Sequence, residues 1–514
     1  MGTLQESVAG AEASLGGITQ TNLKRSATRG ALISLAAQLG NFVIRTVSVM
    51  ILARLLTPKD FGLVGMASAA TGALNVIKDA GLGWATVQSA DITDAQTSNL
   101  FWINLGLGMV LAGLCLLLSP AIAAFYGVPA LLWVNASLGT SFFLNGAGAQ
   151  HRAILQRNMR FGTLATVDIS ALTLSILIAV GMAFAGYRYW ALVAMNVSQI
   201  GIGAAGTWLA TRWIPSRPRR ESGIRSMLMF GGTVTLSNII SYVAFNTDKV
   251  LLGRFWGAET LGIYGRAYSL PNAANENLNT AVSAVAFPAL SRLQKDPARF
   301  RDFFLKGYGL FLSLIMPIAF ACVLFPEDIT VVMLGPKWHA TARILRWLAP
   351  TILALGLIQP FAWVMLAVGR ATRLFSIVLA IAPVMILGYS LGLPWGALGV
   401  AGGFSISMAV VVVPVILLAK RGTLITGFDV LKTVGRPLGA VTIAAALFLV
   451  CRGLIVSIQS SFPRLLVEIT ILLGVHMLTL AFVMKQKAVY QALLREIRLW
   501  PFRKSQNQIV SPVC

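Results

Sequence analysis

Residues 51–67 read ILARLLTPKDFGLVGMA, and residues 251–267 read LLGRFWGAETLGIYGRA. The two stretches align without a gap at an offset of 200, so that Arg54/Arg254, Gly62/Gly262, Gly65/Gly265 and Ala67/Ala267 coincide. Each copy follows one long apolar segment and precedes the next. The sequence therefore predicts an internal duplication inside a membrane, an architecture that is common among secondary transporters.

The composition of the 514-residue chain is typical of a membrane protein. The chain is 56% hydrophobic and 11% charged, with a mean hydropathy of +0.76, whereas soluble domains carry roughly 25% charged residues. A soluble chain this apolar could not cover its surface with polar groups. The net charge of +23 does not indicate a nucleic-acid partner, because the basic residues are spread over many short loops.

The sequence offers no sign of a cleavable signal, a metal site or a disulfide framework. Residues 1–22 are polar and lack an apolar core, which predicts a tail rather than a signal peptide. Cys115, Cys322 and Cys451 lie within apolar segments, and Cys514 is the last residue. Their spacing fits neither metal ligands nor paired cysteines, so we expect no metal and no cofactor.

Fourteen segments are apolar and long enough to span a bilayer, which takes about 20 residues. They are 31–53, 61–78, 100–124, 130–149, 161–185, 189–211, 227–253, 262–288, 307–326, 341–367, 374–392, 394–418, 437–451 and 464–484. The expected fold is therefore an all-α polytopic membrane protein, and we number these spans 1 to 14.

The distribution of Lys and Arg predicts the orientation of these spans. With fourteen spans, both tails and the even-numbered loops share one side, which holds 28 of the 41 basic residues against 10 on the other side. Because cytoplasmic loops carry an excess of Lys and Arg, both termini are expected in the cytoplasm. One loop, 79–99, has three Asp and no Lys or Arg, but acidic residues count little in this rule.

The duplication also predicts how the domains are arranged. An offset of 200 maps span 1 onto span 7 and span 2 onto span 8, so each unit has six spans and both units point the same way through the membrane. We expect a pseudo-two-fold axis along the membrane normal with a cavity between the lobes. The predicted divisions are a disordered cytoplasmic tail (1–28), an N-terminal lobe (29–215), a C-terminal lobe (216–422), two additional helices (423–485) and a basic cytoplasmic tail (486–514).

Polar side chains recur at spacings of three and four residues in the four equivalent spans, so each set lies on one face of a helix. They are Ser34, Gln38, Asn41, Arg45 and Ser48 in span 1; Ser68, Thr71, Asn75 and Lys78 in span 2; Asn238, Ser241 and Asp248 in span 7; and Ser269, Asn272, Glu276, Asn279 and Ser283 in span 8. Such stripes either line a wet cavity or hold helices together. For a single Ser or Asn both alternatives stay open.

The ionisable members of these stripes are the strongest candidates for function. A charged side chain near the bilayer centre costs about 2.5–3.5 kcal/mol on insertion scales, and Arg45 and Glu276 lie deep in their spans. Asp248 and Lys249 lie close to a span end, and Arg266 begins span 8 at the expected cavity mouth. Arg54 and Arg254 end their spans and are expected to anchor them at the interface.

The two halves differ at these positions. Arg45 aligns with Phe245, Met66 with Arg266, and Val76 with Glu276. A guanidinium suits a phosphate through bidentate bonds, and an embedded carboxylate suits a proton or a cation. We therefore expect a substrate site formed by Gln38, Asn41, Arg45, Lys249, Arg266 and Asn272, and an ion-coupling site formed by Asp248 and Glu276. The competing hypothesis for Glu276 is a static ion pair with Arg266 or Lys249.

Several motifs resemble one family of transporters. They are ARLLTPKDFG (53–62), DAGLGWATVQ (79–88), NTDKVLLGRFWGAETLGIYGRAYSLP (246–271) and FPALSRLQKD (287–296). They resemble the Wzx-like polysaccharide transport proteins of the multidrug/oligosaccharidyl-lipid/polysaccharide exporter superfamily, over roughly residues 25–420. The resemblance implies two six-helix lobes and alternating access. It also implies an undecaprenyl-pyrophosphate-linked oligosaccharide as substrate, with membrane lipids and other polysaccharide-assembly proteins as partners.

The sequence leaves two alternative functions open. A drug or toxin exporter of the same fold would have a smaller and more apolar or acidic cavity. A glycan polymerase or ligase would need a large extracytoplasmic loop for its catalytic residues, whereas the longest outer loop here, 327–340, has about 14 residues. Because the sequence shows no catalytic constellation, we expect that the protein is not an enzyme.

Overall fold

The computed structural model describes residues 37–78, 93–218, 224–455 and 458–484, and within them every regular element is a helix. The helices are α1 Ala37–Leu55, α2 Pro58–Lys78, α3 Asp94–Tyr126, α4 Ala130–Arg157, α5 Phe161–Phe184, α6 Tyr189–Thr211, α7 Ile224–Arg292, α8 Pro297–Leu324, α9 Pro326–Leu334, α10 His339–Ala367, α11 Ala371–Gly392, α12 Gly396–Ala419, α13 Gly427–Ile455 and α14 Ser461–Leu478. A π-helical turn, Thr479–Val483, extends α14. The predicted all-α fold is confirmed.

The predicted spans fall on these helices. Among the described residues, ten helical segments are long and apolar enough to cross a membrane, and one of them, Ala371–Ala419, contains both α11 and α12. The more polar helices α4 and α7 are not among the ten, and they carry predicted spans 4, 7 and 8. The multi-pass architecture is thus confirmed, and the full count of fourteen stays a prediction.

Some predicted features lie outside the described residues. They are the two tails at 1–28 and 486–514, Ser34, the motif at 79–88 and the side chain of Asn238.

The long helix α7 contains two of the predicted spans, 7 and 8. Its backbone leaves helical geometry at Gly257 (φ 80°, ψ 179°), which separates one span from the other. A residue with a side chain rarely adopts this conformation, and glycine does so without steric cost. Gly257 aligns with Thr57, which separates α1 from α2 in the first copy of the repeat. There the Asp60 carboxylate accepts bonds from the backbone N–H and the hydroxyl of Thr57 at 2.9 and 2.6 Å. Both copies therefore break at the same position by different means.

The chain divides by its contacts into two compact units, one ending at Gly265 and one beginning at Arg266. In the first unit α3 packs on α4, α4 on α6, and α5 on α6; in the second, α8 packs on α10, α10 on α12, and α11 on α12. In span numbers, the first unit pairs span 3 with 4, 4 with 6 and 5 with 6. The second unit pairs span 9 with 10, 10 with 12 and 11 with 12, which is the same pattern six spans later. The packing repeats as the duplication predicts. In the structure, α7 up to Gly265 packs with the first unit. The lobe boundary near residue 215, which rests on the sequence, stays a prediction.

Small residues let the helices of the second unit approach closely. On α11 and α12, a Cβ on Gly388 would overlap Ser407, and a Cβ on Gly403 would overlap the carbonyl of Gly388. Close backbone approach at small residues is a main source of helix association in lipid. Beyond the duplicated spans, α13 packs on α8 and on α14.

Ion pairs join neighbouring helices in each unit. Arg152 of α4 binds Asp168 of α5 with two bonds of 2.7 Å. Arg464 of α14 binds Asp328 of α9, with Nε at 2.8 Å from Oδ2. Bidentate pairs of this kind are the strong ones, because the planar guanidinium matches the carboxylate. Asp168 therefore links two helices of the first unit.

Candidate functional site

The stripe on α1 has a graded exposure. Gln38 and Arg45 are exposed, Asn41 is half-buried and Ser48 is buried. The Ser48 hydroxyl donates to the carbonyl of Arg45 at 2.8 Å, so this serine is satisfied within its own helix. Gln38, Asn41 and Arg45 therefore remain as the members of the stripe that can meet a ligand.

A second stripe on α1 consists of large apolar side chains that are exposed. They are Leu39, Val43, Val47 and Ile51, with exposed fractions from 68% to 39%. With 3.6 residues per turn, they lie on nearly the opposite face of the helix from Gln38, Asn41 and Arg45. An exposed apolar stripe on a spanning helix is suited to lipid, so the polar face of α1 is the one directed away from lipid.

The side chains of Asp248 and Lys249 both form hydrogen bonds within the first unit. Asp248 is buried, and its Oδ2 accepts a bond of 2.7 Å from the hydroxyl of Tyr264. Tyr264 lies beyond the break at Gly257, so this bond ties the two parts of α7 together. The half-buried Lys249 donates from Nζ to Oδ1 of Asn246 at 2.7 Å. In the described part of the chain, Oδ1 of Asp248 accepts no hydrogen bond.

The side chains of Asn272 and Glu276 are hydrogen-bonded to each other in the second unit. The Asn272 amide donates to Oε1 of Glu276 at 2.7 Å, one helical turn apart, and Glu276 is exposed. Among the described residues, no ion pair includes Glu276. Within the second unit, a static ion pair of Glu276 with Arg266 is therefore not formed among the described residues, and the pair with Lys249 stays an alternative. Arg266 itself is half-buried.

Asn275 is a further candidate that the sequence pattern alone does not single out. It is fully buried, and neither its amide nitrogen nor its amide oxygen has a hydrogen-bond partner in the described part of the chain. Buried polar groups are normally paired, and at membrane depth an unpaired amide is costly. The run NAANENLNT (272–280) places asparagines at several positions with three- and four-residue spacing. Periodicity alone could not choose among them.

In the part of the chain that the structure describes, the predicted residues divide between the two units. Gln38, Asn41 and Arg45 share one face of α1, and Asp248 is adjacent to Lys249; these belong to the first unit. Arg266, Asn272 and Glu276 follow on α7 in the second unit. Among the described residues, no group of His, Cys, Asp or Glu is arranged to hold a metal ion.

The duplicated motif forms a reciprocal contact, all of it in the first unit. A Cβ on Gly62 would overlap the carbonyl of Ala258, and a Cβ on Gly262 would overlap the carbonyl of Pro58. Pro58 and Ala258 are equivalent positions of the repeat. The contact of Gly62 with Ala258 therefore repeats as the contact of Gly262 with Pro58. Two segments that contact each other reciprocally in this way are related by a local two-fold axis. The Tyr242 hydroxyl extends this contact by donating to the carbonyls of Ser68 and Ala69 at 3.2 and 3.1 Å.

A model of the family described as polysaccharide biosynthesis protein matches residues 51–343, which include both copies of the motif. The chain belongs to this family. The resemblance to polysaccharide transport proteins inferred from the motifs is confirmed.

Two relatives and one solved structure show how far the similarity extends. The chain is 30% identical over 338 residues to the teichuronic acid biosynthesis protein TuaB of Bacillus subtilis, covering 65% of this chain and 69% of TuaB. It is 24% identical over 394 residues to the lipopolysaccharide biosynthesis protein WzxC of Escherichia coli, covering 74% and 78%. The lipid II flippase MurJ, in an inward closed conformation, superimposes with a TM-score of 0.68 at 15% identity over 88% of this chain and 99% of MurJ. The family and the fold of this multi-pass membrane protein are those of transporters and not of enzymes.

Proposed function

We propose that this protein is a flippase that moves an undecaprenyl-pyrophosphate-linked oligosaccharide from the cytoplasmic to the outer leaflet of the bacterial inner membrane by alternating access. Its product would supply the synthesis of an exopolysaccharide, capsule or O-antigen. Family membership, the relatives named for polysaccharide synthesis and the MurJ-like fold all support this class. The observation that carries it is the exposed Arg45 on the face of α1 directed away from lipid.

Arg45 supplies what the pyrophosphate needs. A guanidinium presents a fixed fork of donors and keeps its charge, so it binds phosphate oxygens in pairs. The neighbouring amides of Gln38 and Asn41 can donate to and accept from sugar hydroxyls. We assign Lys249, Arg266 and Asn272 to the same substrate site, because two further cations and an amide suit the same headgroup.

Glu276 is proposed as the group that senses an ion gradient. A carboxylate that holds one amide hydrogen bond and no ion pair can take up a proton or a cation without breaking a strong contact. Binding there would bias one facing of the transporter over the other. Asp248 is the second candidate, through the oxygen that the Tyr264 hydroxyl leaves open.

The reciprocal glycine contact is proposed to close the outer side. In the proposed topology both motif copies lie at the outer ends of their helices, and both termini lie in the cytoplasm. Alternating access requires the contact between the Gly62 and Gly262 segments to separate when the transporter opens outward. Proteins that build and polymerise the glycan would act before and after this step.

Reconstitution tests the substrate class. The purified protein is placed in proteoliposomes with either a fluorescent undecaprenyl-pyrophosphate-linked sugar or a cationic dye of the kind that drug exporters carry. We expect movement of the lipid-linked sugar and no transport of the dye. Transport of the dye without movement of the lipid-linked sugar would instead establish a drug exporter of the same fold.

A further inference from the structure

A small cavity lies between α8 and α13, near the first turns of both helices, and has a volume of about 260 Å³. It is part of the second unit and contains none of the residues assigned above to substrate or coupling. The charged residues that line it are Arg301, Asp302, Lys306, Asp429, Lys432 and Arg436. Four of them are bases and two are acids, so the lining carries a net positive charge.

One ion pair fixes the wall of this cavity. Nε of Arg301 donates to Oδ2 of Asp429 at 2.9 Å, and a second bond from the same guanidinium reaches Oδ1. The carboxylate of Asp429 is itself held by the backbone N–H and the hydroxyl of Thr426, at 2.9 and 2.7 Å, where α13 begins. Arg301 and Asp429 thus neutralise each other and tie the two helices together.

The other bases remain available to a ligand. Lys306, Lys432 and Arg436 are exposed, and within the described part of the chain none of them forms an ion pair. Lys432 and Arg436 are four residues apart on the same face of α13, and Lys306 faces the same cavity from α8. Three cations around one cavity provide charge-assisted donors that match the oxygens of a phosphate.

The surroundings of the cavity suit a lipid. Phe428 and Leu431 of α13 are 73% and 69% exposed, and Phe303 of α8 is 37% exposed. Apolar side chains beside a basic cavity at the ends of spanning helices can receive acyl chains while the cations hold the headgroup. In the proposed topology this end of α8 and α13 lies on the cytoplasmic side.

We propose that this cavity binds the headgroup of an anionic phospholipid of the cytoplasmic leaflet, such as phosphatidylglycerol or cardiolipin. Its volume of about 260 Å³ is below the roughly 300–1,000 Å³ of pockets that enclose drug-sized ligands, which suits a phosphodiester headgroup better than an oligosaccharide. The bound lipid would stabilise the packing of α13, which lies outside the duplication, on α8. This inference is independent of the transported substrate.

Lipid binding to the purified full-length protein tests the proposal directly. Native mass spectrometry would compare retention of phosphatidylglycerol, cardiolipin and zwitterionic phosphatidylethanolamine by the wild type and by the double variant Lys432→Gln/Arg436→Gln. The matched control is Arg292→Gln/Lys295→Gln, which removes two exposed charges from the same side of the same unit. Unchanged melting temperatures in detergent without lipid would show that the variants are folded.

We expect wild type and control to retain the anionic lipids and the cavity variant to bind them about tenfold or more weakly. Equal binding by wild type and cavity variant would overturn the proposal, as would equal losses in both double variants or equal retention of phosphatidylethanolamine. A third arm uses undecaprenyl pyrophosphate. If that lipid displaces the phospholipid from wild type but not from the cavity variant, the cavity belongs to the transported substrate and the proposal fails.

Discussion

Gly62 lies against the carbonyl of Ala258 so closely that a single added methyl group would overlap it, and Gly262 meets Pro58 in the same way. The duplicated motif is therefore more than a trace of gene duplication. Of its identical glycines, Gly62 and Gly262 are the positions at which the two copies touch. Their conservation within the chain follows from a steric requirement that both copies share.

Gly62→Ala and Gly262→Ala should each destabilise the protein, because the new methyl group forces backbone apart. Overpacking of this kind costs about 1–3 kcal/mol. Gly265→Ala is the matched control, since a Cβ there would meet no atom within 4 Å. The melting temperature in detergent should fall for the first two variants and stay unchanged or rise for the third. A fall for Gly265→Ala alone would contradict the reciprocal contact.

Asn275→Leu should preserve or raise stability and lower transport. The change removes an unpaired amide from a buried position without removing volume, and replacing such a group by an apolar one is often favourable. Asn277→Leu, at an exposed position of the same helix, serves as the control. Melting temperature and transport rate are measured for both. Loss of stability together with unchanged transport in Asn275→Leu would show that Asn275 has a structural role only.

Glu276→Gln should abolish the response of transport to imposed pH or Na⁺ gradients while slow downhill movement persists. The amide keeps the size of the carboxylate and cannot take up a proton or bind a cation strongly. Proteoliposomes with a fluorescent lipid-linked sugar give both rates. If the variant keeps the wild-type response to both gradients, the coupling role belongs elsewhere, with Asp248 the next candidate.

Both termini should be cytoplasmic. Reporter fusions after Arg225 and after Lys504 place one reporter between the two halves of the duplication and one near the C-terminus, and an even number of spans before each puts both on the same side. The expected readout is a cytoplasmic signal from both fusions. An extracytoplasmic signal from the C-terminal fusion would show that one of the fourteen predicted spans does not cross.

The sequence predicted the helices and their repeat, because apolar length and Lys/Arg placement are imposed by the bilayer itself. It also predicted that the halves break at equivalent positions, although Thr57 and Gly257 do so by different chemistry. It could not predict partners that depend on packing. The bond from Tyr264 to Asp248, the pair of Arg152 with Asp168 and the burial of Asn275 each depend on which face of a helix meets a neighbour.

The proposed function depends most on the charge of Arg45 on the polar face of α1. A flippase for a pyrophosphate-linked lipid needs a fixed cation, and the apolar stripe on the opposite face of α1 has none. Arg45→Lys keeps the charge and loses the bidentate fork, whereas Arg45→Ala loses both. Arg343→Ala removes an exposed arginine from α10 and provides the matched control for charge and expression.

The most direct measurement is the rate at which a fluorescent undecaprenyl-pyrophosphate-linked oligosaccharide crosses proteoliposomes containing equal amounts of wild type, Arg45→Ala, Arg45→Lys or Arg343→Ala. We expect full movement for wild type and Arg343→Ala, partial movement for Arg45→Lys and none above protein-free vesicles for Arg45→Ala. Wild-type movement by Arg45→Ala would contradict the role of Arg45 in binding the pyrophosphate.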